Sequence, residues 1–393
     1  MFFIHLYERN NTMNSAIISN CRLISPGVDL AGAYILIENG KVAQVSASPI
    51  AKPGVPVIDG SGLTAMPGFV DVHCHGRNNF DFCDGSEEGV EVMAKNKLAE
   101  GVTTLLPTTL TLPEEELAAA LKSIASYKQQ YCKIPGVHLE GPFINPKCTG
   151  AQNPAYVRKP DIEEVKRLND IFPVKKITFA VEEEGGAELV GELLSMGITP
   201  SCTHSAAKYP EFMAAYNNGL RNLSHFCNQM SPLHHRDIGL VGAGLLHDDV
   251  FAELICDKLH ISPAMIQLVF KVKGADHVVL ITDAMRAAGM PDGEYSLGGL
   301  PVIVSEGAAR LKEGGALAGS TLQLAVAVKN ISEVTGLPLK ELVKSSSLSA
   351  ANALGLQGIG KIEPGYAADI VLLDEEFNCK VTMVDGEVRY DAR

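Results

Sequence analysis

From residue 69 onward, short and nearly continuous apolar runs alternate with longer stretches whose apolar positions recur at helical spacing. The runs fall at 69–74 (FVDVHC), 102–108 (VTTLLPT), 134–139 (IPGVHL), 177–181 (ITFAV), 198–203 (ITPSCT), 221–226 (RNLSHF), 251–256 (FAELIC) and 277–282 (HVVLIT). Helical stretches lie between them, among them 87–100, 113–130, 185–196, 208–218 and 262–273. Strands that are apolar on both faces belong to parallel sheets covered on both sides. Eight such runs alternating with helices predict an α/β fold, a (β/α)8 TIM-like barrel, although the sixth and seventh have weak strand propensity.

The two ends of the chain follow another rhythm. AYILIENGKVAQVS carries Asn39-Gly40 between two strand-like stretches, and CKVTMVDGEVRY carries Asp385-Gly386 in the same way. Both dipeptides favour the tight turn of a hairpin. Neither set of strands is large enough to fold alone. They are expected to combine into one small β-sandwich domain, built from 14–66 and 360–393, with the barrel spanning 67–359. Met1–Met13 reads as a loose extension, with Met13 as an alternative start.

Polar residues interrupt the apolar pattern where strands end. The first run closes on His73-Cys74-His75, whose period of two puts both imidazoles on one face. The third ends His138-Leu139-Glu140, the fifth leads into His204, the sixth carries His225, and the eighth leads into Asp283. The C-terminal ends of barrel strands converge on one mouth, so these side chains are expected to meet. A lone strand-end histidine is ordinarily structural, and His138 fits that reading because Glu140 points the same way and is the better ligand. A set of such residues at matching ends is expected to hold metal through His73, His75, Glu140, His204 and His225. With nitrogen and oxygen donors and no thiolate, the set suits Zn²⁺, Fe²⁺, Co²⁺ or Mn²⁺. Asp283 is placed to act as general base toward an attacking water, the alternatives being a helix cap or a further ligand.

Composition narrows the partners. The formal charge is −13, which argues against nucleic acid, and no stretch reaches the length of a membrane span. Nine cysteines without a CxxC pair point to free thiols and a cytoplasmic protein.

The motifs also carry a resemblance. PGFVDVHCHG at 67–76 is similar to the first-strand signature of the amidohydrolase superfamily. HLEGPF at 138–143, THSAA at 203–207, LSHFCNQMSPLHHR at 223–236, LITDAMRAAG at 280–289, GALAGSTL at 315–322 and GKIEPGYAADIVLLD at 360–374 resemble the N-acetylglucosamine-6-phosphate deacetylase family, from about residue 20 to the end. The resemblance implies removal of acetate from a phosphorylated N-acetyl amino sugar. It implies Glu140, His204 and His225 as principal metal ligands and Asp283 as catalytic acid and base. A second ion at His73 and His75, bridged by Glu140, is compatible with the His-x-His form of the motif, so one or two divalent ions per subunit are expected, Zn²⁺ or Fe²⁺ foremost. Sugar-phosphate contacts are implied for Ala151, Gln152, Asn228, Gln229, Arg236 and His260, with Leu317, Ala318 and Gly319 closing over the sugar. The family is a homodimer in which the residue matching Arg236 reaches the neighbouring site. Gln152 stands where the family commonly has histidine, and Gln229 where it commonly has alanine. Either change could turn the pocket toward N-acetylgalactosamine 6-phosphate or another N-acetylated amino sugar. A non-catalytic sugar-phosphate sensor is the reading from another class; the intact Asp283 and full ligand set speak against it.

Overall fold

The computed structural model describes residues 15–393, so the reading of Met1–Met13 lies outside the described residues. Eight parallel strands form the barrel: β1 (Phe69–Cys74), β2 (Val102–Thr109), β3 (Val137–Glu140), β4 (Val174–Phe179), β5 (Thr199–Cys202), β6 (Asn222–Leu223), β7 (Phe251–Ile255) and β8 (Val278–Ile281). Each pairs with the next in chain order. The ring closes at its C-terminal rim, where the Asp283 N–H donates to the His73 carbonyl and the His75 N–H to the Ala284 carbonyl, each at 2.8 Å. The expected barrel is therefore present. Every residue of β1, β2, β3 and β8 is buried, as both-sided apolar runs require. β6 is shorter than the sequence predicts because the chain leaves extended conformation just after it, with φ of 30° at His225 and 79° at Cys227.

A helix follows each strand: α1 (Glu87–Leu98), α2 (Glu114–Ala125), α3 (Ile162–Ile171), α4 (Gly186–Ser195), α5 (Tyr209–Asn217), α6 (Gly239–Leu246), α7 (Pro263–Lys273) and α8 (Leu324–Thr335). Local sequence sets their starts. The Ser86 hydroxyl accepts from the Gly89 N–H at the head of α1, and Ser262 caps α7 with Pro263 in its first turn. Among the described residues, no helix is long and apolar enough to cross a membrane.

Strands from both chain ends share one eight-stranded mixed sheet. Thr64–Pro67 pairs with Ala16–Ser25 on one side and with the C-terminal strand Ile370–Leu373 on the other. Alternating side chains, including Ile18, Ile35, Ile37, Leu372 and Met383, form a separate apolar core there. Asn39-Gly40 and Asp385-Gly386 both adopt the left-handed conformations that a tight hairpin turn demands. One element was not expected. Between β8 and α8, Gly293–Leu297, Leu300–Ser305 and Ala308–Leu311 form a three-stranded antiparallel sheet. Its turns are Gly298-Gly299 and Glu306-Gly307, hairpin signals present in the sequence.

The barrel seam is also held by charge. Lys97 of α1 donates to Asp71 Oδ2 at 2.9 Å, and the Thr282 hydroxyl donates to the same oxygen at 2.6 Å. Neither Lys97 nor Asp71 exposes any side-chain surface. Burial alone would lower the Lys97 pKa, but the Asp71 carboxylate outweighs it and holds the ammonium above its ordinary value. Removing one partner of a buried ion pair leaves the other charge uncompensated. Lys97→Met should therefore cost about 3–5 kcal/mol of stability. Adding Asp71→Asn should restore part of it, both read from the urea midpoint by circular dichroism.

Candidate metal centre and active site

The strand period delivers His73, in β1, and His75, just past its end, to the barrel interior, at 0% and 2% exposure. Glu140 is the last residue of β3. The chain turns immediately after it at Gly141, with φ of 78°, where a Cβ would stand 2.2 Å from the Thr111 hydroxyl. The other three residues follow a common device. His204, His225 and Asp283 each lie two positions beyond their strand, and each adopts a left-handed backbone, with φ of 48°, 30° and 48°. This conformation is uncommon for residues other than glycine and is found at sites where surrounding structure enforces it. It curls the chain over the mouth and turns the side chains toward Glu140.

Glu140 is the common neighbour. Its Oε1 lies 2.9 Å from His225 Nε2 and 3.4 Å from both His204 Nε2 and His73 Nε2, while Oε2 lies 3.2 Å from His75 Nε2. Asp283 Oδ1 approaches His75 Nε2 at 3.2 Å and His73 Nε2 at 3.6 Å. Burial by itself would raise the Glu140 carboxyl, but the imidazoles of His73, His204 and His225 reverse this and hold it well below the usual carboxylate range. Asp283 is lowered in the same manner, burial opposing and His73 and His75 prevailing.

The donor set fits a divalent cation on its own geometry. Three imidazoles have Nδ1 set against a main-chain carbonyl: His75 on Thr108 at 3.2 Å, His204 on Cys148 at 2.7 Å and His225 on Asn228 at 3.2 Å. A carbonyl only accepts, so each Nδ1 carries the hydrogen and each neutral ring presents its Nε2 lone pair inward. Burial keeps the His225 pKa below its ordinary value. Its Nε2 faces that of His204 at 3.2 Å, an approach of two lone pairs that a cation relieves. His73 is fully buried with neither ring nitrogen hydrogen-bonded. Two ligand groups result, His73–His75–Glu140 and Glu140–His204–His225, sharing one carboxylate. His138 stands apart, as the sequence indicates. Its nitrogens meet Thr178 and Thr108 at 2.7 and 3.3 Å, and burial and the Lys176 charge hold its pKa well below the ordinary value.

A cavity of about 230 Å³ opens above the cluster. Of the residues expected to contact substrate, Ala151, Gln152, Asn228, Gln229, His260, Leu317 and Gly319 line it, beside His75, Glu140, His204, His225 and Asp283. Ala318 is fully buried, its N–H donating to the Ala309 carbonyl at 3.1 Å. The His260 Nδ1–H donates to Asp257 at 2.7 Å. Gln152 is turned inward: its carbonyl oxygen accepts from the Thr111 N–H at 2.7 Å, and its amide nitrogen donates to Glu140 Oε2. Arg236 lies on an exposed loop outside this cavity, its guanidinium on His235 at 2.8 Å. No carboxylate pairs with Arg236 among the described residues. Leu297 and Ala316, from the unexpected hairpin region, join the wall with Leu110, Gly150 and Ile255. Sequence reasoning also passed over Lys176 and Glu253, charged residues inside buried strands; Glu253 lies within an apolar run and Lys176 directly before one, and that placement was the available signal.

A barrel whose strand ends gather these ligands is that of a metal-assisted hydrolase, and the chain belongs to the amidohydrolase family, whose sequence profile it matches over residues 64–389. Within that family it is closely related to N-acetylglucosamine-6-phosphate deacetylases. It is 39% identical to the one from Lysinibacillus sphaericus, with 99% of each chain covered. It is 35% identical to the N-acetylgalactosamine-6-phosphate deacetylase of Escherichia coli, covering 93% of this chain and 97% of that one. A substituted N-acetyl-D-glucosamine-6-phosphate deacetylase from Mycobacterium smegmatis, solved in complex with N-acetyl-D-glucosamine-6-phosphate, superposes with a TM-score of 0.90 at 28% identity, covering 96% of this chain and 99% of that one.

If Glu140, His204 and His225 hold one ion, His204→Ala and His225→Ala should each lower bound metal by at least one equivalent per subunit. Plasma mass spectrometry of the purified variants checks this, and undiminished stoichiometry in both rejects the assignment.

Proposed function

We propose that this chain removes acetate from the 2-acetamido group of N-acetyl-D-glucosamine 6-phosphate, releasing D-glucosamine 6-phosphate. The observation that carries the reading is the pair of ligand groups meeting at Glu140 with Asp283 beside them, inside one cavity. The names of the relatives supply the substrate class. His73, His75, Glu140, His204 and His225 would hold one or two divalent ions, Zn²⁺ or Fe²⁺ foremost. Such an ion, when bound, lowers the pKa of water and polarises a carbonyl. Asp283, held ionised by its neighbours, takes the proton of the attacking water and returns it to the leaving nitrogen. Ala151, Asn228, Gln229 and His260 would face the sugar phosphate, and Leu317 and Gly319 would form its cover, with the buried Ala318 between them. The nine cysteines are all free thiols, which suits work in the cytoplasm.

A second reading, the galactosamine epimer, is favoured by the Escherichia coli relative and by Gln229, whose side chain packs against Gly150 at the cavity rim. Initial rates of acetate release from the two 6-phosphates decide between them. The glucosamine epimer should give the higher kcat/KM. On the better substrate, Asp283→Asn should lower kcat by roughly 10²–10⁴-fold with metal content kept. Absence of acetate release from either would reject both readings and leave another N-acetylated amino sugar or a sensor.

Arg236 is read as a phosphate ligand of the neighbouring subunit in a homodimer. A guanidinium matches phosphate oxygens in a bidentate manner, and this one carries no carboxylate partner among the described residues. Arg236→Ala should reduce kcat/KM for the phosphorylated sugar by about 1.5–3 kcal/mol, the scale of a charged hydrogen bond, and spare the unphosphorylated one. Mixing Arg236→Ala with Asp283→Asn subunits rebuilds one complete site per heterodimer, so activity should recover toward half of wild type. No recovery, in heterodimers verified by native mass spectrometry, places Arg236 in its own subunit's site or in none.

A further inference from the structure

Three imidazoles of the centre take their orientation from the main chain, and His73 does not. One nitrogen of its buried ring, Nε2, looks toward Glu140 and Asp283. The other, Nδ1, faces Oε2 of Glu253 on β7 at 3.6 Å. Neither Nδ1 nor this oxygen has a hydrogen-bond partner. His138, packed edge-on against the ring with centroids 4.5 Å apart, has both its nitrogens engaged elsewhere. The second oxygen of Glu253 is held by the ammonium of Lys176 on β4, and neither side chain of that pair is more than 2% exposed.

A buried ion pair is a poor source of stability, since apolar residues of similar volume often serve as well or better. Barrel interiors are ordinarily filled by branched aliphatic side chains. The pair is better explained by what its free oxygen faces. A small rotation of the Glu253 carboxylate shortens 3.6 Å to the roughly 3 Å of a hydrogen bond. A carboxylate only accepts, so that bond would place the hydrogen on Nδ1 and leave the Nε2 lone pair directed at Glu140 and Asp283. His73 would then have the tautomer that carbonyls impose on His75, His204 and His225.

We propose that Lys176 and Glu253 form a positioning pair for His73: Lys176 holds Glu253, and Glu253 fixes the tautomer and ring orientation with which His73 binds the ion it shares with His75 and Glu140. The proposal rests on His73 being a ligand. Partners of this kind, one bond removed from the metal, typically change affinity by about 10–100-fold.

The test is competition of Zn²⁺ or Co²⁺ binding against a chelator in the full-length chain, with the Co²⁺ absorption spectrum as a second readout. His73→Ala should abolish one of two ions. Glu253→Gln should weaken that same ion by about 10–100-fold, shift its Co²⁺ spectrum, and leave the other ion unchanged. Glu253→Gln added to His73→Ala should cause no further loss. If Glu253→Gln fails to fold, Lys176→Met combined with Glu253→Leu removes the pair without stranding a charge and should weaken the same ion. Unchanged affinity in a folded Glu253 variant, or losses that add to those of His73→Ala, would overturn the pairing while leaving the ligand assignment intact. Unchanged metal content in His73→Ala would overturn the ligand assignment, and the pairing with it.

Discussion

Burying a carboxylate costs several kcal/mol unless opposite charge and hydrogen bonds meet it, and Glu140 is a carboxylate placed where water hardly reaches. Four imidazoles surround it, three on one oxygen and one on the other. No single element could supply that environment, since it draws on β1, β3 and the turns after β5 and β6. The barrel brings those ends together, and Glu140 in turn sets which way each imidazole must face. The carbonyls of Thr108, Cys148 and Asn228 settle the tautomers, so the centre is organised by main-chain hydrogen bonds as much as by its own side chains.

The same constraint explains the seam. The N–H of Asp283 is bonded to the carbonyl of His73, so the proposed base and a proposed ligand are joined through the backbone that closes the ring. Asp71, two residues before His73, receives Thr282 and Lys97 just beneath. A loosened seam would therefore disturb the geometry of Asp283 and His73 together.

Much of this was legible in the chain. Apolar runs and intervening helical periodicity reveal a parallel barrel, and polar residues at matching strand ends single out its mouth. Asn39-Gly40 and Asp385-Gly386 mark their hairpins because few residue pairs tolerate consecutive positive φ. What stayed hidden has physical reasons. Period arguments say which face a residue takes only while the chain is extended, and His204, His225 and Asp283 act from left-handed positions just beyond their strands. Glu253 lies in an apolar run and Lys176 directly before one, where a charge reads as a blemish or a boundary until its partner across the barrel is known. The hairpin region after β8 was obscured by short strands exposed on one side, whose alternation is weak beside the long buried runs.

Chemistry and recognition come from different parts of the fold. The residues around Glu140 sit on strands or within two residues of them, whereas Ala151, Gln229, His260 and Leu317 belong to the connections between. Loops of a barrel can vary while the frame keeps the catalytic geometry, so substrate choice could change here with the centre untouched. Gln152 crosses that division. It lies in the loop after β3, yet its carbonyl oxygen is fixed by the Thr111 main chain and its amide nitrogen donates one hydrogen to Glu140. Its second amide hydrogen remains open to another acceptor in the cavity. The glutamine thus braces the central carboxylate while lining the cavity. Position 152 therefore touches both the ligand cluster and the cavity above it.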